Sequence, residues 1–283
     1  RFFKELSEYL DLADPYRHPC TTSSWASSPR DWAHENIDIA EEHYYLRPGE
    51  NGRAAQYADE AEAAVERVRY LREKSPEKPL VIAEFGIADQ RWGPRINDRE
   101  NSDMRDIHNS LWASALAGGC GSCMSWYWQR MDLHDAYGEY ASLSKFIKDI
   151  DWVGDDPQPI EVKAVRADDQ GGSGALRCTA LKVPDGCYIW IFDPASGWEN
   201  VVQRGGTVEQ VSDASLVIPS DPDLSGKTVS LQWWDTHAGR WIENAELGDS
   251  GHAQVEENEM DERVLRVPVP AFIGDIALRV IYK

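Results

Sequence analysis

No stretch of this sequence approaches the ~18 consecutive apolar residues that a membrane-spanning helix requires, because charged or polar residues interrupt the apolar runs. A membrane span is therefore not expected. The first residues, Arg1-Phe2-Phe3-Lys4, read as helix rather than as a basic stretch followed by an apolar core, so they assign no compartment. Cysteine is scarce and odd in number: Cys20, Cys120, Cys123, Cys178 and Cys187 are widely spread, which excludes a disulfide framework. Cys120-Gly-Ser-Cys123 has the spacing of a metal or redox pair. It stands in a glycine-rich apolar stretch with no second Cys or His pair at ligand spacing, so neither zinc nor any other cofactor is expected. Basic residues are few, with 29 Lys plus Arg against 49 Asp plus Glu and a formal charge of -20. A polyanion such as nucleic acid would be repelled at long range, whereas a neutral ligand would not. Internal repeats and low-complexity tracts are also missing.

What the chain does have is size, apolar content and tryptophan. Its 283 residues, 42% of them hydrophobic, are enough for one large domain or two ordinary ones. Twelve tryptophans exceed what packing demands, and indole faces are common platforms for the C–H surfaces of sugars, though most would serve in cores or domain contacts. Phe2, Phe3, Leu6, Tyr9 and Leu10 recur at helical spacing up to Asp14-Pro15, so the chain opens in the middle of an element and something is expected to precede it. Cys20–Ser23 and Ile37–Tyr45 read as strands, 54–74 as a long amphipathic helix, and Leu80–Gly86 as a buried strand. A helix through His108, Leu111, Trp112 and Leu116, an apolar strand Ser122–Trp128, and a helix near 139–150 follow. Strands alternating with helices predict parallel α/β packing. After Trp152 the pattern changes: 153–159 read as a linker, and 160–283 carry short strands between turn residues, an all-β sandwich-like domain. Cys178 and Cys187 flank the turn Val183-Pro-Asp-Gly186. A tight hairpin there sets Lys182 opposite Cys187 and Cys178 opposite Ile191, which keeps the two sulfurs apart.

The chemistry concentrates at strand ends. Glu84 sits in Val81-Ile-Ala-Glu-Phe-Gly86, where its neighbours would bury it, and a buried glutamate has either a partner or a task. His43 and Tyr45 lie one alternation apart on the preceding strand, and Trp126 and Trp128 do so on the following one. Taken singly, each reads as a packing residue. Together they put a carboxylate, hydrogen-bonding aromatics and an indole platform at one rim.

The runs Lys78-Pro-Leu-Val-Ile-Ala-Glu84-Phe-Gly86, His108-Asn-Ser-Leu-Trp-Ala113, Gly118-Gly119 and Met124-Ser-Trp-Tyr-Trp128 resemble the end of the catalytic barrel in glycoside hydrolase clan A, close to the cellulase and mannanase family 5. Asp14–Ser23 and Asp38-x-x-x-x-His43-x-Tyr45 fall where that family has its fifth and sixth strands. The resemblance, over residues 1–152, implies the C-terminal half of a (β/α)8 TIM barrel (strands 5–8), followed by a β-rich accessory domain. It further implies that Glu84 is the nucleophile of a retaining hydrolase, that His43 and Tyr45 orient it, and that Trp126, with Trp128 nearby, supports the sugar. A β-linked polysaccharide or oligosaccharide of β-mannan or β-glucan type is the implied substrate.

One part of that pattern is missing. Retaining hydrolysis uses a second carboxyl as acid/base, roughly 5 Å from the nucleophile. The family carries it in an Asn-Glu pair after the fourth strand, and no such pair stands in residues 1–152. Glu41 and Glu42 are nearby carboxylates on the wrong strand for that role. The acid/base is therefore expected outside this chain, which by itself is expected to be inactive. The competing expectations are a carbohydrate-binding protein with a non-catalytic barrel, and a structural or adhesion module. A polymeric substrate suggests a secreted parent, although five unpaired cysteines weigh against an oxidising destination.

Overall fold

A computed structural model of the chain describes residues 2–24, 28–47, 59–89, 91–94, 103–121, 123–167, 175–219, 228–243, 254–257 and 263–283. The fold is mixed α/β and divides into two compact units, Arg1–Ala136 and Tyr137–Lys283.

The first unit opens with α1 (Phe2–Ala13), which forms as its spacing predicts but leaves Phe2, Leu6, Tyr9 and Leu10 exposed. A short α2 (Pro29–Trp32) leads towards β1 (Ala40–Leu46). The Lys78 ammonium donates to the carbonyls of Trp32, His34 and Ile37, holding the turn that feeds this strand. α3 (Glu60–Lys74) is capped by the Asp59 carboxylate, which accepts the Glu62 N–H at 2.7 Å. The helix expected from residue 54 is thus described from Glu60 onward, and 54–58 lie outside the described residues. β2 (Leu80–Ile87) then pairs with β1 in parallel along its length. α4 (Arg105–Leu116) is buried from Asp106 to Leu116, and its Asp106 is matched by the Arg130 guanidinium at 3.0 Å.

Two expected strands contract to single parallel bridges. Thr21 bridges Ile39, and Ser125 bridges Phe85, so the spatial order of these four segments follows the chain, with α3 and α4 as crossovers. After Ser125 the backbone leaves the sheet at Tyr127, and Trp128 opens α5 (Trp128–Leu133) instead of ending a strand. The cause is an anchor that local pattern does not reveal: the Tyr127 hydroxyl donates to the carbonyls of Trp92 and Gly93, at 3.0 and 3.2 Å.

The second unit begins with α6 (Tyr137–Ile147) and continues as antiparallel sheets. A six-stranded sheet runs in the order Arg240–Trp241, Val229–Asp235, Asp275–Tyr282, Gly186–Phe192, Arg177–Val183, Gln158–Ile160. A four-stranded sheet has the order Gln254–Glu257, Arg263–Val269, Ala214–Pro219, Lys163–Arg166. Ile189, Ile191, Leu278 and Val280 from the first meet Leu216, Ile218, Leu265 and Val267 from the second in one apolar core. Gly186–Phe192 is buried at every position because its other face is covered too: Phe146 of α6 packs edge-on to Tyr188 at 5.5 Å and against Trp234 at 5.9 Å. Trp190, Trp233 and Trp234 are buried in this packing and offer no face to a glycan. The hairpin register sets Lys182 against Cys187 and Cys178 against Ile191, as a tight turn dictates.

Gly186 starts the return strand where a Cβ would lie 1.9 Å from the Val280 carbonyl oxygen, a backbone atom of the neighbouring strand. Nothing there yields without breaking the sheet. Gly186→Ala is expected to destabilise this unit by at least about 2 kcal/mol, read as a lower urea midpoint at unchanged m-value.

Candidate active site

β1 and β2 each have a face covered by helices and an opposite, open face. On the helix side Glu42 accepts from Arg67 of α3 at 2.8 Å, and Tyr44 stacks on Phe85 at 5.9 Å while reaching Ser110 of α4. Strand alternation then turns Glu41, His43 and Tyr45 to the open face.

Strict alternation would not bring Glu84 to that face. Ile82 pairs with Glu42 and so belongs to the helix side, which puts Ala83 on the open side and Glu84 back among the helices. A β-bulge corrects this. The register passes from Glu42↔Ile82 directly to His43↔Glu84, leaving Ala83 out, and every later residue of β2 changes face. Phe85 thereby returns to Tyr44, while Glu84 and Gly86 join His43 and Tyr45.

The result is a carboxylate with one neutral donor, Tyr45, and an imidazole nitrogen beside the same oxygen. Tyr45 donates its hydroxyl to Glu84 Oε2 at 2.6 Å, and His43 Nδ1 lies 3.2 Å from the same oxygen. Burial, together with the bond to Glu84, holds the Tyr45 hydroxyl far above its ordinary pKa, so it remains a donor throughout the neutral range. Burial also lowers the pKa of His43, against the pull of Glu84, so the imidazole is neutral at pH 7. Behind it stands Glu41, 2% exposed, with Oε1 3.7 Å from His43 Nε2. Burial pushes the Glu41 carboxyl up to about 7, against a backbone N–H from Ser24 that favours its anion.

An aromatic wall flanks the carboxylate. Tyr45 meets Trp92 at 6.0 Å and Tyr127 at 6.3 Å, both edge-on, and the Arg47 guanidinium lies 4.5 Å over the Trp92 ring. Gly86 makes room for this, since a Cβ there would stand 2.5 Å from a Tyr127 ring carbon. The Asp89 carboxylate accepts the N–H groups of Arg91 and Gly93, fixing the turn that presents Trp92 with φ 63°.

His43, Tyr45 and Glu84 are therefore brought together as expected, and Trp126 and Trp128 are not. Trp126 donates its backbone N–H to the Phe85 carbonyl, and its side chain is 52% exposed. Trp128, 62% exposed, starts α5. Among the described residues neither indole has a hydrogen bond or ring contact to Glu84, His43 or Tyr45. Tyr127, Trp92 and Gly86, which the sequence did not single out, occupy the places next to Tyr45. The signal available was Gly86, a glycine at the end of an otherwise bulky strand. The groups around Glu84 give and accept protons, and no cluster of three metal-ligating side chains surrounds it among the described residues. A cavity of about 540 Å³ between α1 and residues 17–21 and 35–38 is lined by none of these groups.

Among solved structures the chain is similar to a glycoside hydrolase family 5 protein from Bacteroides vulgatus, with 14% identity and a TM-score of 0.51, over 88% of this chain and 51% of that one. A second glycoside hydrolase has 13% identity and a TM-score of 0.47, covering 87% and 53%. A family 51 α-L-arabinofuranosidase from Bifidobacterium longum has 11% identity and a TM-score of 0.37, covering 98% and 61%. No protein-family model and no curated protein matches the sequence. The chain spans about half the length of the first two structures, and the likeness to the family 5 protein is one of fold alone.

Glu41 gives a pH signature of its own. Its carboxyl titrates near 4.5 when unfolded and at about 7 when folded, so between these values the native state binds the extra proton. Stability from this group is full below the lower value and falls as pH rises through the upper one, by about 3 kcal/mol. His43, kept neutral by burial, acts in the opposite direction. The difference between wild type and Glu41→Gln isolates the acid, and it is expected to shrink by that amount from pH 4.5 to 7.5 in urea titrations. A difference independent of pH would mean that Glu41 is not a buried neutral acid.

Proposed function

We propose that this chain is the C-terminal part of a retaining glycoside hydrolase, with Glu84 as the nucleophile and the acid/base supplied by a segment outside it. Residues 1–152 would form strands five to eight of the catalytic barrel with their helices, 153–159 a linker, and 160–283 a β-sandwich accessory domain. The observation that carries this reading is the convergence of Tyr45 and His43 on one oxygen of a strand-end carboxylate. The glycoside hydrolase fold and the uncovered apolar side of α1 support it.

Tyr45 donates to Oε2, His43 Nδ1 lies 3.2 Å from that same oxygen, and Oε1 of Glu84 has no donor among the described residues. Oε1 is the oxygen left to attack. In the first displacement it forms a bond to the anomeric carbon while the bond to the leaving oxygen breaks, and the acid/base of the parent protonates that oxygen. In the second, the same group takes a proton from water, whose oxygen bonds the anomeric carbon and releases Glu84 as carboxylate. Neutral donors fit a nucleophile better than a cationic partner would: they keep the carboxylate ionised without neutralising it. The exposed indoles of Trp126 and Trp128 extend the surface on which a β-linked mannan or glucan chain would lie.

The test is turnover of β-mannan, cellulose and xylan oligosaccharides by the parent protein and by its Glu84→Gln variant. The variant is expected to lose at least ~1,000-fold in kcat, about 4 kcal/mol of barrel-borne transition-state stabilisation. A loss smaller than about tenfold would remove Glu84 from the role. The 283-residue chain by itself is expected to show no turnover.

A further inference from the structure

We propose that Glu41 and His43 hold one proton between them, and that this proton decides which imidazole nitrogen is offered to Glu84. The geometry stands independently of any activity, and only its catalytic consequence rests on Glu84 being the nucleophile. Glu41 Oε1 and His43 Nε2 face each other at 3.7 Å on the same side of β1, and both atoms are buried without a hydrogen bond among the described residues. Their side chains are 2% and 7% exposed. Two unsatisfied buried polar atoms 3.7 Å apart are costly unless they share a proton, and a shift of about half an ångström would bring them to hydrogen-bond distance.

The other end of the ring explains why this matters. His43 Nδ1 is the ring nitrogen 3.2 Å from Glu84 Oε2, so a neutral imidazole can turn an N–H toward Glu84 only as its Nδ1–H tautomer, with a lone pair on Nε2. A proton from Glu41 fills that lone pair. Whether it sits on the carboxyl or on Nε2, the Nδ1–H remains directed at Glu84. Once it is lost, one imidazole N–H is left for two carboxylates, Glu41 and Glu84, and the ring divides between them. Burial holds the Glu41 proton up to about pH 7, which puts this change in the neutral range.

Among the described residues Glu84 is the charged neighbour of the pair, and its charge favours the proton on both Glu41 and His43. Tyr45 on the same strand gives Glu84 its hydroxyl, and Tyr127 packs edge-on to the Tyr45 ring. The segment ending at Ser24 gives Glu41 a backbone N–H, and Asp38 at the strand entry accepts the Cys20 N–H. Glu42 is matched by Arg67 on the helix side of the sheet. No cation among the described residues pairs with Glu41.

The test is a pH titration of the full 283-residue chain, labelled with 15N-histidine, with the His43 nitrogens assigned by His43→Asn. In the wild type, Nδ1 is expected to carry its proton at pH 5.5, and both ring nitrogens to move together through a transition between about pH 6 and 8. In Glu41→Gln the amide donates to Nε2 at every pH, so Nδ1–H should persist and the transition disappear. In the parent enzyme the alkaline limb of kcat/KM is expected to move up by at least about one pH unit in Glu41→Gln, roughly tenfold in rate above it. A wild-type His43 that shows no transition, or the same transition in both proteins, overturns the inference. Should Glu84→Gln retain activity while the His43 transition still depends on Glu41, the nucleophile reading falls and this one stands. An inactive Glu84→Gln with an indifferent His43 gives the reverse.

Discussion

The single residue that β2 gains over β1, Ala83, is the constraint on which the site depends. A strand packed by helices on one face cannot choose freely which side chains look outward, because its period of two fixes them all at once. Here the bulge resets that period between Ile82 and Glu84. Before it, Ile82 contributes to the helix side. After it, Phe85 does, stacked on Tyr44, and Glu84 stands opposite His43. An unbroken strand would have turned Phe85 out of the layer of Ile82, Tyr44 and α4 and driven a carboxylate into it, where only another ion pair could have kept the carboxylate charged. The same half-turn leaves Gly86 on the open face, and the Tyr127 ring takes the volume a side chain would have used.

The two faces of this sheet treat carboxylates differently. On the helix side, Glu42 and Asp106 meet the guanidiniums of Arg67 and Arg130. On the open side, Glu84 meets a phenol and an imidazole, and Glu41 meets the imidazole from behind. Arginine is close at hand in Arg47, yet it lies over the Trp92 ring instead of against Glu84. An ion pair would fix the carboxylate and blunt it. Donors without charge orient it and leave an oxygen available, an arrangement suited to a reacting group and poor as a means of holding strands together.

Tryptophan divides along the same line. In the second unit, Trp190 gives its indole N–H to the buried Asp275 carboxylate, and Trp234 packs with Trp241 and Phe146 around α6. Their area is spent on joining a helix to a sheet. In the first unit Trp92, Trp126 and Trp128 keep much of their surface in water near the end of the parallel strands. Among the described residues most indoles are buried in packing, and Trp92, Trp126 and Trp128 are the more exposed ones in the first unit.

Much of this protein was determined by its sequence alone. The apolar run Leu80–Ile82 can only be a strand covered by other elements, and the spacing of Ala61, Val68 and Leu71 only a helix against it. The hairpin that keeps Cys178 from Cys187 follows from turn chemistry and parity. His43 and Tyr45 sharing a face is likewise a property of period two. The joining of these to Glu84 was decided elsewhere, because a bulge belongs to the pairing of two strands and has no mark on either one. Tertiary contact also decided that Tyr127, tied to the Trp92 and Gly93 carbonyls, would stand edge-on beside Tyr45. Local pattern fixes which side chains can share a face, and only the register between neighbouring chains fixes which faces meet.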